Sequence, residues 1–464
     1  MAKTLGAFFS LYLATLILLL SSGLFNTYLS LRLTAQSVSE IWVGAMIAAY
    51  YFGLVLGARF GHRLIIQVGH IRTYAACAAL TTVTVLVMVL VDNLWFWLAV
   101  RFVAGVAMVS LFIAIESWLN EQTENGSRGT VFAFYMVATG SGTVLGQLVL
   151  GEFPKLDYQP LVFVAICSVL SLMPITLTRR SHPALQVPAP LAWRYYVSRV
   201  PMSLMVLFIA GMLNGAFYGL APVYGLQHGM DTHQVGVFLA VSLAAGLVSQ
   251  WPLGWLADRS SRVRLIRIGA LLLLCLGVPL WGWYRFPYWA LVAFSALLGI
   301  TQFTLYPMGT SFANDNVEPE RRVGLSALLY MVYGVGACIG PLLAGFLMRG
   351  WGGDIYFVFV SACAAVLVLF VREQRVTGAH LSPDAPTQFV PMADTLQNAH
   401  VMAVLDPRVD IERDISHDPV IGDPPAEGGG PPEAESPSTR KQQDDGADGQ
   451  GDAQQVDGAQ ALAK

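Results

Sequence analysis

Apolar residues run in stretches of about 20 through the first 372 positions, separated by short polar turns. A stretch of that length crosses a hydrocarbon core of about 30 Å as a helix. Lipid offers the backbone no hydrogen bonds, so each stretch must satisfy its own N–H and C=O groups by coiling. Twelve such helices are predicted, at about 5–31, 41–61, 72–91, 94–119, 129–151, 158–178, 201–226, 234–257, 265–284, 288–313, 323–348 and 353–371. Residues 179–200 hold four arginines and three prolines and read as a polar linker. They divide the apolar part into two six-helix halves, 1–178 and 201–372. The expected fold class is therefore an all-α integral membrane protein with two six-helix bundles. The stretch from Leu5 to Leu31 is too long for a signal peptide and reads as a first, uncleaved span.

The two halves read as copies. Asn120-Glu121 and Arg128 recur as Asn314-Asp315 and Arg322, shifted by 194 positions. The glycine ladder Gly140, Gly142 and Gly146 recurs as Gly334, Gly336 and Gly340 at the same shift. Val43-Gly44 opens the second span as Val235-Gly236 opens the eighth. An internal repeat in a polytopic membrane protein points to two bundles around a midplane site. The ladders, with Pro341 after Gly340, are expected either to pack helices closely or to act as joints between bundles.

Charge sharpens this picture. The chain is 55% hydrophobic and 12% charged, against about 25% charged for an ordinary soluble domain. The net charge of −3 averages two unlike parts. Residues from Glu373 onward carry 17 acidic and 6 basic side chains, and the rest carry 13 and 21. The tail, 373–464, is too polar to bury a core and is expected to be disordered. With the N-terminus placed inside, one face collects sixteen Lys and Arg and the other four, namely Arg32, Lys155, Arg285 and Arg349. That bias predicts both termini in the cytoplasm. The five cysteines lie in apolar runs without a CxxC pair and are expected to be buried thiols, with no metal and no disulfide.

One turn carries more than topology. Gly254-x3-Asp258-Arg259-x2-Arg262-x-Arg264 puts a carboxylate and three arginines between two apolar segments. It resembles the loop signature of the major facilitator superfamily. Leu24-Phe25-Asn26-Thr27, Arg101-x3-Gly105, Glu116-Ser117, Tyr135-Met136 and Gly146-Gln147 are similar to the poorly characterised bacterial YcaD-like branch. The resemblance covers residues 1–372. It implies secondary active transport of a small solute by alternating access, with the arginine turn, Glu121, Arg128, Asp315 and Arg322 as a cytoplasmic gate. In the first half the signature is degenerate, because Ile66 stands where its acid is expected.

Two charges lie inside apolar runs, where ionisable groups are costly and mark function. Arg101 sits several residues into the fourth span, and its motif resembles one associated with proton coupling in exporters. The plainer reading is an arginine that snorkels to the headgroups. Glu116 lies fifteen residues on, about 22 Å along the same helix, so the two cannot pair directly. It reads either as a partner for loop arginines or as a titrating proton site. Asn26, Tyr28, Gln147, Asn214, Tyr218, Gln250 and Gln302 are polar groups in apolar runs, suited to interhelical bonds or to a substrate cavity. Few charges among them favour a neutral or amphipathic solute, and Trp251 and Tyr306 would suit one.

The expected function is a monomeric, proton-coupled exporter in a bacterial cytoplasmic membrane. Import of a metabolite, or a sensor that keeps the fold without transporting, are the alternatives. No GxxxxGK[ST] loop points to ATP, no ligand cluster or nucleophile–base pair points to an enzyme or cofactor, and nothing points to nucleic acid.

Overall fold

The computed structural model describes residues 2–123, 128–177, 193–317 and 321–371. The tail 373–464 and most of the linker lie outside them, as do the side chains of Glu121 and Arg128. The first half comprises α1 (Ala2–Ala35), α2 (Glu40–Val68), α3 (His70–Leu90), α4 (Leu94–Gln122), α5 (Arg128–Leu150), α6 (Gln159–Leu170) and α7 (Leu172–Thr176). A short helix, α8 (Trp193–Arg199), closes the linker. The second half comprises α9 (Pro201–Gln227), α10 (Thr232–Ala257), α11 (Arg262–Gly277), α12 (Tyr288–Gln302), α13 (Leu305–Asp315), α14 (Arg322–Trp351) and α15 (Ile355–Phe370).

Eleven helical stretches among the described residues are long and apolar enough to cross a bilayer. The twelfth expected span is α15, whose sixteen residues reach about 24 Å. Two spans are interrupted, and proline explains both. Pro174 has no N–H to offer the Leu170 carbonyl, and α6 ends at Leu170. Pro307 likewise leaves the Phe303 carbonyl without its helical donor, and α12 gives way to α13 there.

The turns follow local chemistry. Gly69, at φ +87°, is the single residue joining α2 to α3, and that backbone geometry favours glycine. Asp231 and Gln234 form a reciprocal capping box at the start of α10. Asn93 accepts from the Phe96 N–H at the start of α4. Tyr196 and Arg199 of α8 donate to the Arg321 and Asn316 carbonyls, so the end of the linker is docked on the second half.

Within the first half α1 packs on α5 and α6, and α4 on α2 and α3. Within the second half α9 packs on α14, α10 on α12, and α11 on α15. Between the halves α2 meets α14, α5 meets α10, and α1 meets α9. Helix α9 is buried almost throughout, whereas α11 turns much of its apolar surface outward. Cys275 on α11 is accordingly exposed and Cys338 only half-buried, in contrast to the uniform burial expected of the five thiols.

Candidate functional site

Close approach between the halves is built on glycines near the face opposite the arginine-rich turns. A Cβ on Gly44 of α2 would overlap the Pro341 carbonyl of α14. A Cβ on Gly236 of α10 would come within 2.5 Å of the Gln147 carbonyl of α5. These are one contact made twice, since α10 follows α2 by 192 positions and α14 follows α5 by 194. The next turn repeats the rule, with Gly345 against Glu40 and Gly151 against His233. Gln227 also donates to Glu40 across the halves at 2.9 Å.

The ladder glycines divide by role. Gly142 and Gly146 lie against the Leu16 and Leu20 carbonyls of α1, and Gly336 and Gly340 against those of Phe208 and Met212 of α9. They pack helices within each half. Gly140 faces Leu247 of α10, between the halves.

Arg101 lies seven residues into α4, about 10 Å from the helix start. It does not snorkel, for it is only 1% exposed. Its Nε donates to the Met46 carbonyl of α2 at 3.3 Å and its Nη2 to Asn26 Oδ1 of α1 at 2.7 Å. The Tyr50 and Phe25 rings stand 4.4 and 5.1 Å from its guanidinium carbon. No carboxylate among the described residues lies within 4.0 Å of it. The repeat places Ser295 at the corresponding position of α12. Its Oγ lies 3.0 Å from the Phe238 carbonyl, which is the counterpart of the Met46 carbonyl.

The second half holds a neutral network at similar depth. Gln302 donates to Asn214 Oδ1 at 2.8 Å, and Asn214 donates to the Tyr333 hydroxyl at 3.1 Å. Tyr306 stacks edge-on against Tyr333, and Tyr218 against Phe217. Gln250 is buried on α10. Gln147 accepts from Thr27 at 2.7 Å and donates to the Gly23 carbonyl at 3.0 Å, tying α5 to α1. Tyr28 donates to the Asp157 carbonyl and accepts from Arg32, at the end of α1. Trp251 is 81% exposed and points out of the bundle.

Glu116 is fully buried on α4, and Tyr135 of α5 donates to its Oε1 at 3.1 Å. Tyr330 of α14 lies within electrostatic reach of both Glu116 and Tyr50. Tyr50, Tyr330 and Tyr333 are site residues that the polarity of single positions did not disclose. Their signal was tyrosine inside an apolar run, where the hydroxyl needs a partner.

At the arginine-rich face, Arg262 Nε lies 3.1 Å from Asp315 and Nη2 3.7 Å from Asp258. All three belong to the second half. Gly254 is buried just before them, and Arg259 lies over the Trp255 ring at 4.1 Å. Arg264 is exposed, and Arg322 is buried at the start of α14. Among the described residues no three His, Cys, Asp or Glu converge on a metal position.

The architecture has known counterparts. A solved nucleoside transporter, NupG, superposes with a TM-score of 0.64 over 78% of this chain and 96% of its own, at 15% identity. A bacterial homolog of the human lysosomal transporter Spinster, inward-facing and occupied, superposes at 0.62 over 78% and 93%, at 13% identity. At those identities the likeness concerns the fold. An uncharacterized MFS-type transporter of Yersinia enterocolitica is 29% identical over 77% of this chain and 92% of its own length. The uncharacterized MFS-type transporter YcaD of Escherichia coli is 26% identical over the same shares. The family model described as Major Facilitator Superfamily matches residues 11–286 and 229–411. A repeated bundle closed on paired glycines, charged only at a few buried points, thus has its place among known chains: this one belongs to the major facilitator superfamily of multi-pass membrane transporters.

Proposed function

We propose that the protein exports a small organic solute by alternating access, driven by protons, as a monomer in a bacterial cytoplasmic membrane. The arginine-rich face is the cytoplasmic one, and both termini lie there. The observation that carries this reading is the pairing of Gly44 with Pro341 and Gly236 with Gln147, a closure between the halves repeated about their symmetry. Helices that meet through glycine and backbone separate without tearing ion pairs, which suits a contact made and broken in each cycle. The structure then represents the state shut at the opposite, outer face.

Glu116 is the proton carrier in this scheme. Tyr135 offers the ionised form a donor. Arg101 supplies fixed charge, since a guanidinium does not deprotonate in proteins. Asn214, Tyr218, Gln250 and Gln302 face the solute from the second half, and Asn26 from the first. Asp258, Arg262 and Asp315 brace the cytoplasmic gate with Glu121, Arg128 and Arg322.

The test is proton flux in proteoliposomes with a screen of small solutes, comparing wild type with Glu116→Gln. Solute-dependent proton movement is expected in wild type, with loss of at least about tenfold in the variant, the scale of a proton-transfer contribution. Normal flux in a folded Glu116→Gln protein would falsify the proton-carrier assignment. Uptake in place of efflux would reverse the direction assigned here.

A further inference from the structure

We infer that Arg101 is a recognition point for a carboxylate on the transported solute, so that the cargo is an organic anion. The inference rests on the transport reading for its biology but on the local geometry for its chemistry.

A buried guanidinium without a counter-charge is costly, and buried charges are ordinarily paired. Arg101 is 1% exposed and has no carboxylate beside it among the described residues. Its structural duties do not require charge, and the repeat supplies the control. At the corresponding point of the second half a serine hydroxyl lies against the corresponding helix carbonyl, Ser295 on Phe238. A neutral donor thus suffices to hold α12 against α10. The positive charge at position 101 exceeds what packing asks of it.

The free part of the group has a definite shape. The rings of Tyr50 and Phe25 stand near the guanidinium carbon, and Nε and one Nη2 proton are engaged by Met46 and Asn26. Of five N–H groups, three remain, two on Nη1 and one on Nη2. They form the end of the fork, which fits the two oxygens of a carboxylate side by side. Arg101 is nearly closed, with Asn26 7% and Tyr50 6% exposed, so an anion reaches the end of the fork when α1, α2 and α4 part around it. Enclosure by three helices argues against a lipid headgroup as the anion. This replaces the neutral cargo that the scarcity of charged positions suggested.

The experiment uses the full chain in detergent and reads thermal stability, so it does not depend on flux. The probes are benzoate with benzamide and hexanoate with hexanamide, with sodium chloride matched throughout. Ligands that bind the native state raise its melting temperature. The carboxylates are expected to raise it and the amides not. Asn26→Asp places an internal carboxylate against Arg101 with little change of shape. It is expected to raise the melting temperature of the ligand-free protein and abolish the benzoate shift. Arg101→Gln is expected to abolish the shift as well. If that variant does not fold, Arg101→Lys decides, keeping the charge, losing the fork and giving a smaller shift. Equal shifts with acids and amides, no shift with either carboxylate, or a full benzoate shift in Asn26→Asp would each overturn the assignment. A carboxylate shift without proton flux would uphold the site while removing the transport reading.

Discussion

The two halves share a skeleton and divide the charge between them. Glycine contacts repeat with little change, as in Gly105 on the Tyr50 carbonyl and Gly299 on the Ser242 carbonyl. The charges repeat only in part: Glu121 and Arg128 recur as Asp315 and Arg322, but others stand in one half alone. The first half keeps Arg101 and Glu116 deep in α4, where the second half has Ser295 and Thr310. The second half keeps Asp258, Arg262 and Asp315 at the arginine-rich face, where the first has Ile66, His70 and Glu121. Close backbone packing is kept between the copies, while the buried charges of α4 stand in one of them. Among the described residues, Arg101 and Glu116 are buried in α4 of one half, and the Arg262 ion pairs stand in the other.

The largest effects should come from breaking what the halves share. Gly44→Val and Gly236→Val each drive side-chain atoms into a backbone carbonyl of the other half. Overpacking of this kind costs about 1–3 kcal/mol, and here only in the closed state. That corresponds to a shift of roughly 5- to 150-fold between states. Both variants should lose solute flux to a similar degree while melting close to wild type. Gly142→Val is the contrast, because it separates α5 from α1 inside one half and should lower the melting temperature instead. If Gly44→Val and Gly236→Val differ widely in flux, the closure is not symmetric in use.

A middle-sized effect tests the unequal ion pairs. Arg262→Gln takes a guanidinium from Asp315 and Asp258, whose side chains are 16% and 29% exposed. The cost should fall between the roughly 0–1 kcal/mol of a surface pair and the 3–5 kcal/mol of a buried one. His70→Gln alters the corresponding site of the first half and should lower the melting temperature less. An equal or larger drop would show that the first half carries a brace of its own despite Ile66.

Much of this was legible in the sequence, and the reasons are physical. Lipid forces helices, so apolar stretches marked the spans, but the breaks at Pro174 and Pro307 were not expected, since Pro222, Pro252 and Pro341 sit in unbroken helices. The arginine-rich turn marked Arg262 and the repeat marked Asp315, and the structure sets the two 3.1 Å apart. The roles of single polar residues were less legible, because a buried amide looks the same whether it ties helices or faces a solute. Gln147 ties α5 to α1, and Tyr28 ties α1 to the 151–158 loop. The repeat was visible as a shift of 194 between later helices, but α1 and α2 map onto α9 and α10 at 192. The two extra residues fall between the starts of α11 and α12, where a 3-10 turn and the 281–287 loop intervene. Without that correction Arg101 cannot be matched to Ser295 through the carbonyls both approach.

The smallest effect bears on the comparison most directly. Ser295→Ala removes a hydroxyl lying 3.0 Å from the Phe238 carbonyl and 2.8 Å from that of Val292. A neutral hydrogen bond contributes about 1 kcal/mol, so the melting temperature should fall slightly and carboxylate binding should not change. If Arg101 were only the first half's version of this bond, Arg101→Gln would behave the same way. Loss of the benzoate shift in Arg101→Gln but not in Ser295→Ala would separate charge from packing at two positions that the fold treats as one.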